Sequence, residues 1–407
     1  MARILLISQV YYPDTSAVSQ VLTDLTEDLS RRGHEVLVYS SRYGYEDPSI
    51  SFPSQEVRRG VKIIRLWQTG YAKHSKLGRL LNFASFNISM MWRLWMRSRA
   101  RPELIIGTTV PPFLSFIGLL RAKMWRRNYC FYAMDLQPEL AIVSGYLDGR
   151  SMAAEIFMKM SDFIYRKSDL IVALDRYMAS HIIGRGAKPD RVKAIAIWPA
   201  MSTRHTGSRP DNPFRQKMKF GEKIVIMYSG NMAVVHPLDT LLEAALLLRN
   251  DERFLFVFIG GGVRKQDVEV FKGDHGLSNI VLLPLQPREE IPISLGSADL
   301  QVVIQGDGCT GYTHPNKVYG AMFIGKPILY IGPKPSHISD ILEQCPGNIS
   351  VKHGAARELA EKIKIFASAG EEEWSQVGDI NGQFAQKNFS RPFLTDQLVR
   401  EIESIIP

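Results

Sequence analysis

The chain of 407 residues holds only three cysteines, Cys130, Cys309 and Cys345, and they stand far apart. That spacing excludes both the paired framework of a small disulfide-stapled protein and the close ligand spacing of a zinc site, and it fits a reducing compartment. Long apolar runs are also missing. The longest, Leu104 to Leu120, contains Pro111 and Pro112 and reads as a strand, a turn and a helix start, so no transmembrane helix is predicted. The opening Met1-Ala2-Arg3-Ile4-Leu5-Leu6-Ile7-Ser8 is too short an apolar run for a signal peptide and reads as a first buried strand, so export is not expected. No low-complexity segment and no short-period repeat occurs. The G-x-G-x-x-G spacing and the lysine-bearing Walker pattern are absent, which leaves neither a dehydrogenase nor a P-loop ATPase supported.

What is present is ordinary globular material: 45% hydrophobic and 22% charged residues. The length exceeds what one core usually serves, so two domains of roughly 200 residues each are expected. Short β-rich runs alternate with helical patterns: Ile4–Ser8, Val18–Arg32, Glu35–Ser40, Lys62–Trp67, Leu77–Arg99 and Glu103–Gly107, then strands at Tyr129–Ala133, Leu170–Leu174 and Val192–Ile197. This is the βαβ signature of a parallel sheet covered on both faces. The polar, proline-containing segment Ser202–Pro213 interrupts the alternation and is read as a linker. The alternation then restarts with Ile224–Tyr228, Leu255–Ile259, Ile280–Leu283, Leu300–Ile304 and Ile328–Ile331. The expected class is α/β, with Rossmann-like domains over 1–205 and 206–390 and a last helix in 391–407 returning to the first domain. Ligands of such sheets bind at the carboxyl ends of the strands.

A net charge of +9 favours anionic partners. Arg93, Arg97, Arg99, Arg101, Arg121, Lys123, Arg126 and Arg127 interleave with Trp92, Trp95, Met96 and Trp125, a mixture suited to a bilayer interface. No helix-turn-helix, RNA-binding aromatic pair or zinc motif accompanies the charge, so nucleic acid is not an expected partner.

Three segments carry the candidate chemistry. Tyr228-Ser229-Gly230-Asn231 follows a strand, and its small residues either admit a ligand or only turn the chain. Ile259-Gly260-Gly261-Gly262 leads into a helix bearing Arg264 and Lys265, an arrangement that suits phosphate but is equally a tight loop. In the third, Thr310 to Pro327, proline at the first helical position starts a helix at Pro315 and points the Asn316 and Lys317 amides outward at its positive end. The bland reading of that segment is an amphipathic helix with a solvated lysine. His236 reads as a solvent-facing cap at a helix start in preference to a phosphate contact in its protonated form, and His34 as structural.

Taken in order, Tyr11-Tyr12-Pro13-Asp14, Arg32-Gly33-His34-Glu35-Val36, Asp135-Leu136-Gln137-Pro138-Glu139, Tyr228-Ser229-Gly230-Asn231 and Pro315-Asn316-Lys317 resemble family-four retaining glycosyltransferases of the GT-B fold. The similarity runs over nearly the whole chain and is nearest to bacterial enzymes of O-antigen, capsule and exopolysaccharide assembly, including the fucosamine-transferase-like branch. The resemblance implies two Rossmann-like domains facing a cleft. It implies a nucleotide diphosphate sugar donor, a UDP sugar first of all, bound mainly by the second domain. A glycan or lipid-linked acceptor is implied on the first, with no cofactor and no metal. It casts Asp135 and Lys317 as catalytic. Ser16, Ser229, Gly230, Asn231, Gly261, Arg264, Lys265, Leu285, Pro315, Asn316 and Tyr319 are cast as donor- or diphosphate-binding, with Leu285 lying in the Pro284-Leu285-Gln286 turn that would hold the base. Location is expected to be cytoplasmic, with peripheral contact to an anionic inner membrane face.

The chain also departs from the family pattern. Asn231 and His236 stand where an Arg/Lys pair is usual, Tyr312 and Gly320 where a Glu-x7-Glu pair is usual, and Met134 where a histidine is frequent. These departures keep a second reading open, a non-catalytic nucleotide-sugar-binding protein or partner subunit.

Overall fold

The computed structural model describes all residues except 15, 46, 72–75, 98–100 and 200–208. The described chain divides into two compact units. The first comprises Met1–Ile197, Gly311–His314 and Pro392–Pro407, the second Trp198–Thr310 and Pro315–Arg391. Most of the expected linker, Ser202–Ser208, lies outside the described residues, as do Thr15 and Arg99.

In the first unit the strands are β1 (Arg3–Ile7), β2 (Glu35–Ser41), β3 (Gln55–Arg58), β4 (Val61–Leu66), β5 (Leu104–Thr108), β6 (Asn128–Tyr132), β7 (Leu170–Ala173) and β8 (Val192–Ala194). They form one sheet in the order β3-β4-β2-β1-β5-β6-β7-β8. All pairings are parallel except β3 with β4. The strand expected at Val192–Ile197 closes after Ala194. The expected helix at Leu77–Arg99 runs over Lys76–Trp92 and continues as a π-helical turn, Arg93–Arg97.

The second unit carries β9 (Ile224–Ser229), β10 (Phe254–Ile259), β11 (Ile280–Leu283), β12 (Leu300–Ile304), β13 (Ile328–Ile331) and β14 (Ile349–Val351), all parallel, in the order β11-β10-β9-β12-β13-β14. Side chains alternate across a strand, so a doubly covered strand must be apolar at every position. Ile224, Ile226, Tyr228, Phe254, Phe256 and Phe258 accordingly fill one core, while Val225, Met227, Leu255, Val257 and Ile259 fill another. The fold is α/β with two Rossmann-like units, as the alternation predicts.

The last helix, Arg391–Ser404, is anchored in the first unit. Arg32 pairs with Asp396 and Glu403, and the His34 Nε2 lies 3.1 Å from Glu403. The other His34 nitrogen accepts the Ala2 amide at 3.3 Å, so this histidine is structural. Among the described residues no helix is long and apolar enough to cross a membrane.

Candidate functional site

In the second unit, β9 and β10 deliver their carboxyl ends side by side, with Ser229 in register with Ile259. Each strand must turn sharply, and Gly230 and Gly260 do so at φ of +128° and +129°, a region that side chains oppose. The space is equally restrictive. A Cβ on Gly260 would stand 2.3 Å from the Gly230 carbonyl oxygen, and one on Gly230 would stand 2.8 Å from Lys317 Cε. Backbone bonds lock the turns together: Gly230 N donates to Ile259 O at 2.8 Å, Met232 N to Gly261 O at 2.7 Å, and Arg264 N to Met232 O at 3.0 Å.

Lys317 seals this edge. Its ammonium lies 3.7 Å from the centroid of the Tyr228 ring and donates to the Tyr228 hydroxyl and, at 3.3 Å, to Asn231 O. The Tyr228 hydroxyl donates to Asn231 O at 2.7 Å. Burial lowers the Lys317 pKa to about 7, because the charged form loses water that these neutral partners only partly replace. An arriving phosphate would reverse that balance.

The helix begins at Lys317 with Asn316 as its N-cap, two residues later than the expected proline start. The cause is a tight first turn. Val318 N donates to Pro315 O and Tyr319 N to Asn316 O, three residues back in each case, which tightens the entry and leaves Pro315 ahead of the cap. Among the described residues the Asn316 and Lys317 amides donate to no backbone acceptor. They are the donors a helix start offers an anion.

Other expected donor residues sit differently. The Tyr319 side chain is buried, with its hydroxyl 2.7 Å from His337 Nε2 and its ring against Phe389, so it braces the helix instead of facing a ligand. Arg264 is held by Asp239 and Asp267, and Lys265 pairs with Glu269 at 3.3 Å, so neither side chain joins the Lys317 cluster. Leu285 is exposed in the turn after β11, and Gly261 has open space where a side chain would stand. His236 is no solvent-facing cap. It lies in the turn before the helix Asp239–Leu247. Burial and the neighbouring Lys317 charge push its pKa down to about 3, so it is a neutral imidazole near pH 7.

In the first unit Ser16 serves as the N-cap of the helix Ala17–Arg31, its hydroxyl accepting the Ser19 amide at 3.2 Å. Asp135 follows β6, and its amide donates to Thr109 Oγ1 at 3.4 Å. Burial raises its carboxyl pKa to about 6, against an opposing pull from His314. The His314 Nδ1 donates to Asp175 Oδ2 at 2.8 Å, and both side chains are almost wholly buried. Asp175 Oδ1 in turn caps the helix Arg176–Gly184 through the Tyr177 and Met178 amides. The sequence reading missed this Asp175–His314 support for Asp135. Its only local signal is an N-cap aspartate after β7 and a histidine next to Pro315, separated by 139 positions.

The structure therefore assembles Ser229, Gly230, Asn231, Asn316 and Lys317 in the second unit, and Asp135 with His314 in the first. Among the described residues no group of three or more His, Cys, Asp or Glu side chains could hold a metal ion.

Residues 16–198 match the family model described as a glycosyl transferase 4-like domain. Over 356 residues the chain is 24% identical to WcaI of Escherichia coli K12, which is named for glycosyl transfer in colanic acid biosynthesis; the match covers 85% of this chain and 87% of that one. The sucrose-phosphate synthase of Thermosynechococcus elongatus superposes with a TM-score of 0.76 at 14% identity, covering 99% of each chain. HepE of Anabaena, solved with UDP and glucose, gives a TM-score of 0.72 at 14% identity, covering 99% of this chain and 100% of that one. Residues 16–198 thus match a glycosyl transferase 4-like domain, and the chain has the two-unit GT-B fold of its solved neighbours.

Proposed function

We propose that the protein transfers a hexosyl or N-acetylhexosaminyl residue from a UDP sugar to a lipid-linked or polymeric glycan, with retention and without a metal, in cell-surface glycan biosynthesis. The observation that carries this reading is the Lys317 ammonium seated on Tyr228 beside the Gly230 turn, with the Asn316 and Lys317 amides at the helix start donating to no backbone acceptor among the described residues. Negative charge grows on the diphosphate as the sugar bond breaks, and preoriented amides plus one ammonium stabilise it more in the transition state than in the ground state. In this reading Asp135 binds the acceptor hydroxyl or orients the transferred sugar. Peripheral contact with an anionic membrane rests on the exposed side chains of Leu80, Ile88, Trp92 and Met96.

The test is to incubate the purified protein with a panel of nucleotide diphosphate sugars and follow both thermal stabilisation and sugar transfer. UDP sugars are expected to raise the melting temperature. No stabilisation by any nucleotide and no turnover would overturn the reading. The neutral His236 and the ion-paired Arg264 favour a second reading, a nucleotide-sugar-binding partner subunit. Transfer that is lost in Lys317→Ala would eliminate it.

A further inference from the structure

The first unit contains an apolar cavity of about 330 Å³, within the range of small-molecule sites. Its walls include Phe83, Phe113, Phe116, Phe157, Met160 and Ile164. The Phe113 and Phe157 rings meet edge to face at 4.5 Å. Phe113 adopts a left-handed backbone at φ +73°, costly for a bulky residue and tolerated where surrounding structure demands it. Here it places the ring in the cavity wall.

Two features distinguish this cavity from a packing defect. First, part of its lining is polar and adjoins the Asp135 segment: Thr109, whose hydroxyl meets the Asp135 backbone, and Gln137, two residues after it. Second, the cavity is open to the surface at the helix Lys76–Trp92, where Leu80 lines it while 62% exposed. Among the described residues Arg79 is the one charged residue of the lining, poised 5.2 Å over the Tyr146 ring. An apolar chamber with one cation and a polar edge fits an amphiphile with an anionic group, and a neutral sugar alone would leave most of its walls unmatched.

We propose that this cavity holds the hydrocarbon chain of a phosphate-linked lipid that carries the acceptor, with Arg79 meeting the phosphate. The cavity's part in catalysis rests on the transferase reading above, whereas lipid binding can be measured without it. Farnesyl phosphate, dodecyl phosphate and uncharged farnesol, each below its micelle concentration, are titrated calorimetrically into the full chain. At least one phosphate binds, and the stronger of the two tells an isoprenoid from a straight chain. Ala141→Trp, which fills the cavity from the helix Glu139–Val143, and Leu80→Glu at the exposed mouth each weaken binding about tenfold or more. Arg79→Gln weakens the phosphates and leaves farnesol unchanged. Hydrogen exchange on the unmutated protein, should Ala141→Trp fail to fold, shows protection by the phosphate over residues 113–116 and 157–164. Absence of binding by both phosphates overturns the proposal, as does binding indifferent to all three substitutions or protection confined to the outer face of residues 77–92. Lipid binding without any stabilisation by UDP would sink the transferase reading and leave the cavity assignment standing.

Discussion

Each unit carries a candidate site group whose pKa burial shifts toward neutrality, but the two are surrounded in opposite ways. In the first, the Asp135 carboxyl is raised to about 6 by burial beside His314, which Asp175 holds, and its backbone amide rests on the Thr109 hydroxyl. In the second, the Lys317 ammonium is lowered to about 7 at an edge defined by backbone, where Gly230 and Gly260 leave no room for a side chain. A diphosphate is recognised by amides and charge, so its site needs side chains removed. An acceptor is recognised by shape and by particular polar atoms, so its site needs them supplied. Perturbed groups of this kind are expected where chemistry happens.

The sharpest way to break the comparison is to remove the ammonium. Lys317→Ala is expected to lower kcat/KM for sugar transfer about 10²- to 10³-fold and to abolish stabilisation by UDP. An unchanged rate would move diphosphate recognition elsewhere. A smaller loss is expected in Gly260→Ala, where the new methyl meets the Gly230 carbonyl at 2.3 Å under a φ of +129°. Urea unfolding should show about 1–3 kcal/mol of destabilisation. Gly145→Ala, at φ +71° with nothing within 4 Å, should cost only about 1 kcal/mol. Equal costs would show that backbone conformation, and not the close approach of two turns, fixes Gly260.

The two groups also predict opposite pH dependences. A carboxyl raised in the native state binds more protons folded than unfolded between about 4 and 6, so its burial costs stability above about 6. Asp135→Asn is expected to raise the melting temperature at pH 7.5 and to lose that advantage toward pH 4. A lysine lowered in the native state costs stability below about 7, so Lys317→Met should stabilise most in acid. In the proposed transfer Asp135 acts ionised and Lys317 protonated, so kcat/KM should pass through a narrow maximum between about 6 and 7. A flat profile would remove one of the two from the reaction.

The sheets were legible because doubly covered strands announce themselves as continuous apolar runs. Ile4, Leu104, Ile224 and Phe254 each open or begin such a run and are fully or nearly buried. The edge strand Gln55–Arg58 was not, since only one neighbour pairs with it and its polar residues carry no such signature. The short helix Arg176–Gly184 also escaped, although Asp175 is a sound N-cap signal. The glycine turns around Lys317 could be read locally, because glycine spacing reports backbone directly. The Asp175–His314 pair and the cavity could not. They depend on which side chains meet across distant segments, and Tyr319 shows the converse failure, a plausible neighbour of Lys317 that turns inward to His337.

The smallest expected effect is the one that best separates backbone from side-chain recognition. Lys265 begins the helix that follows the second glycine turn and lies near the place where a phosphate-binding cation would be sought. Its ammonium pairs with Glu269, one turn along the same exposed face, an interaction worth about 0.2–0.5 kcal/mol. Removing it in Lys265→Ala should therefore shift stability by no more than that and change UDP affinity less than about twofold. Should calorimetry instead show a tenfold loss, the ion pair must open to meet the ligand, and the second unit would recognise phosphate with side chains as well as with backbone.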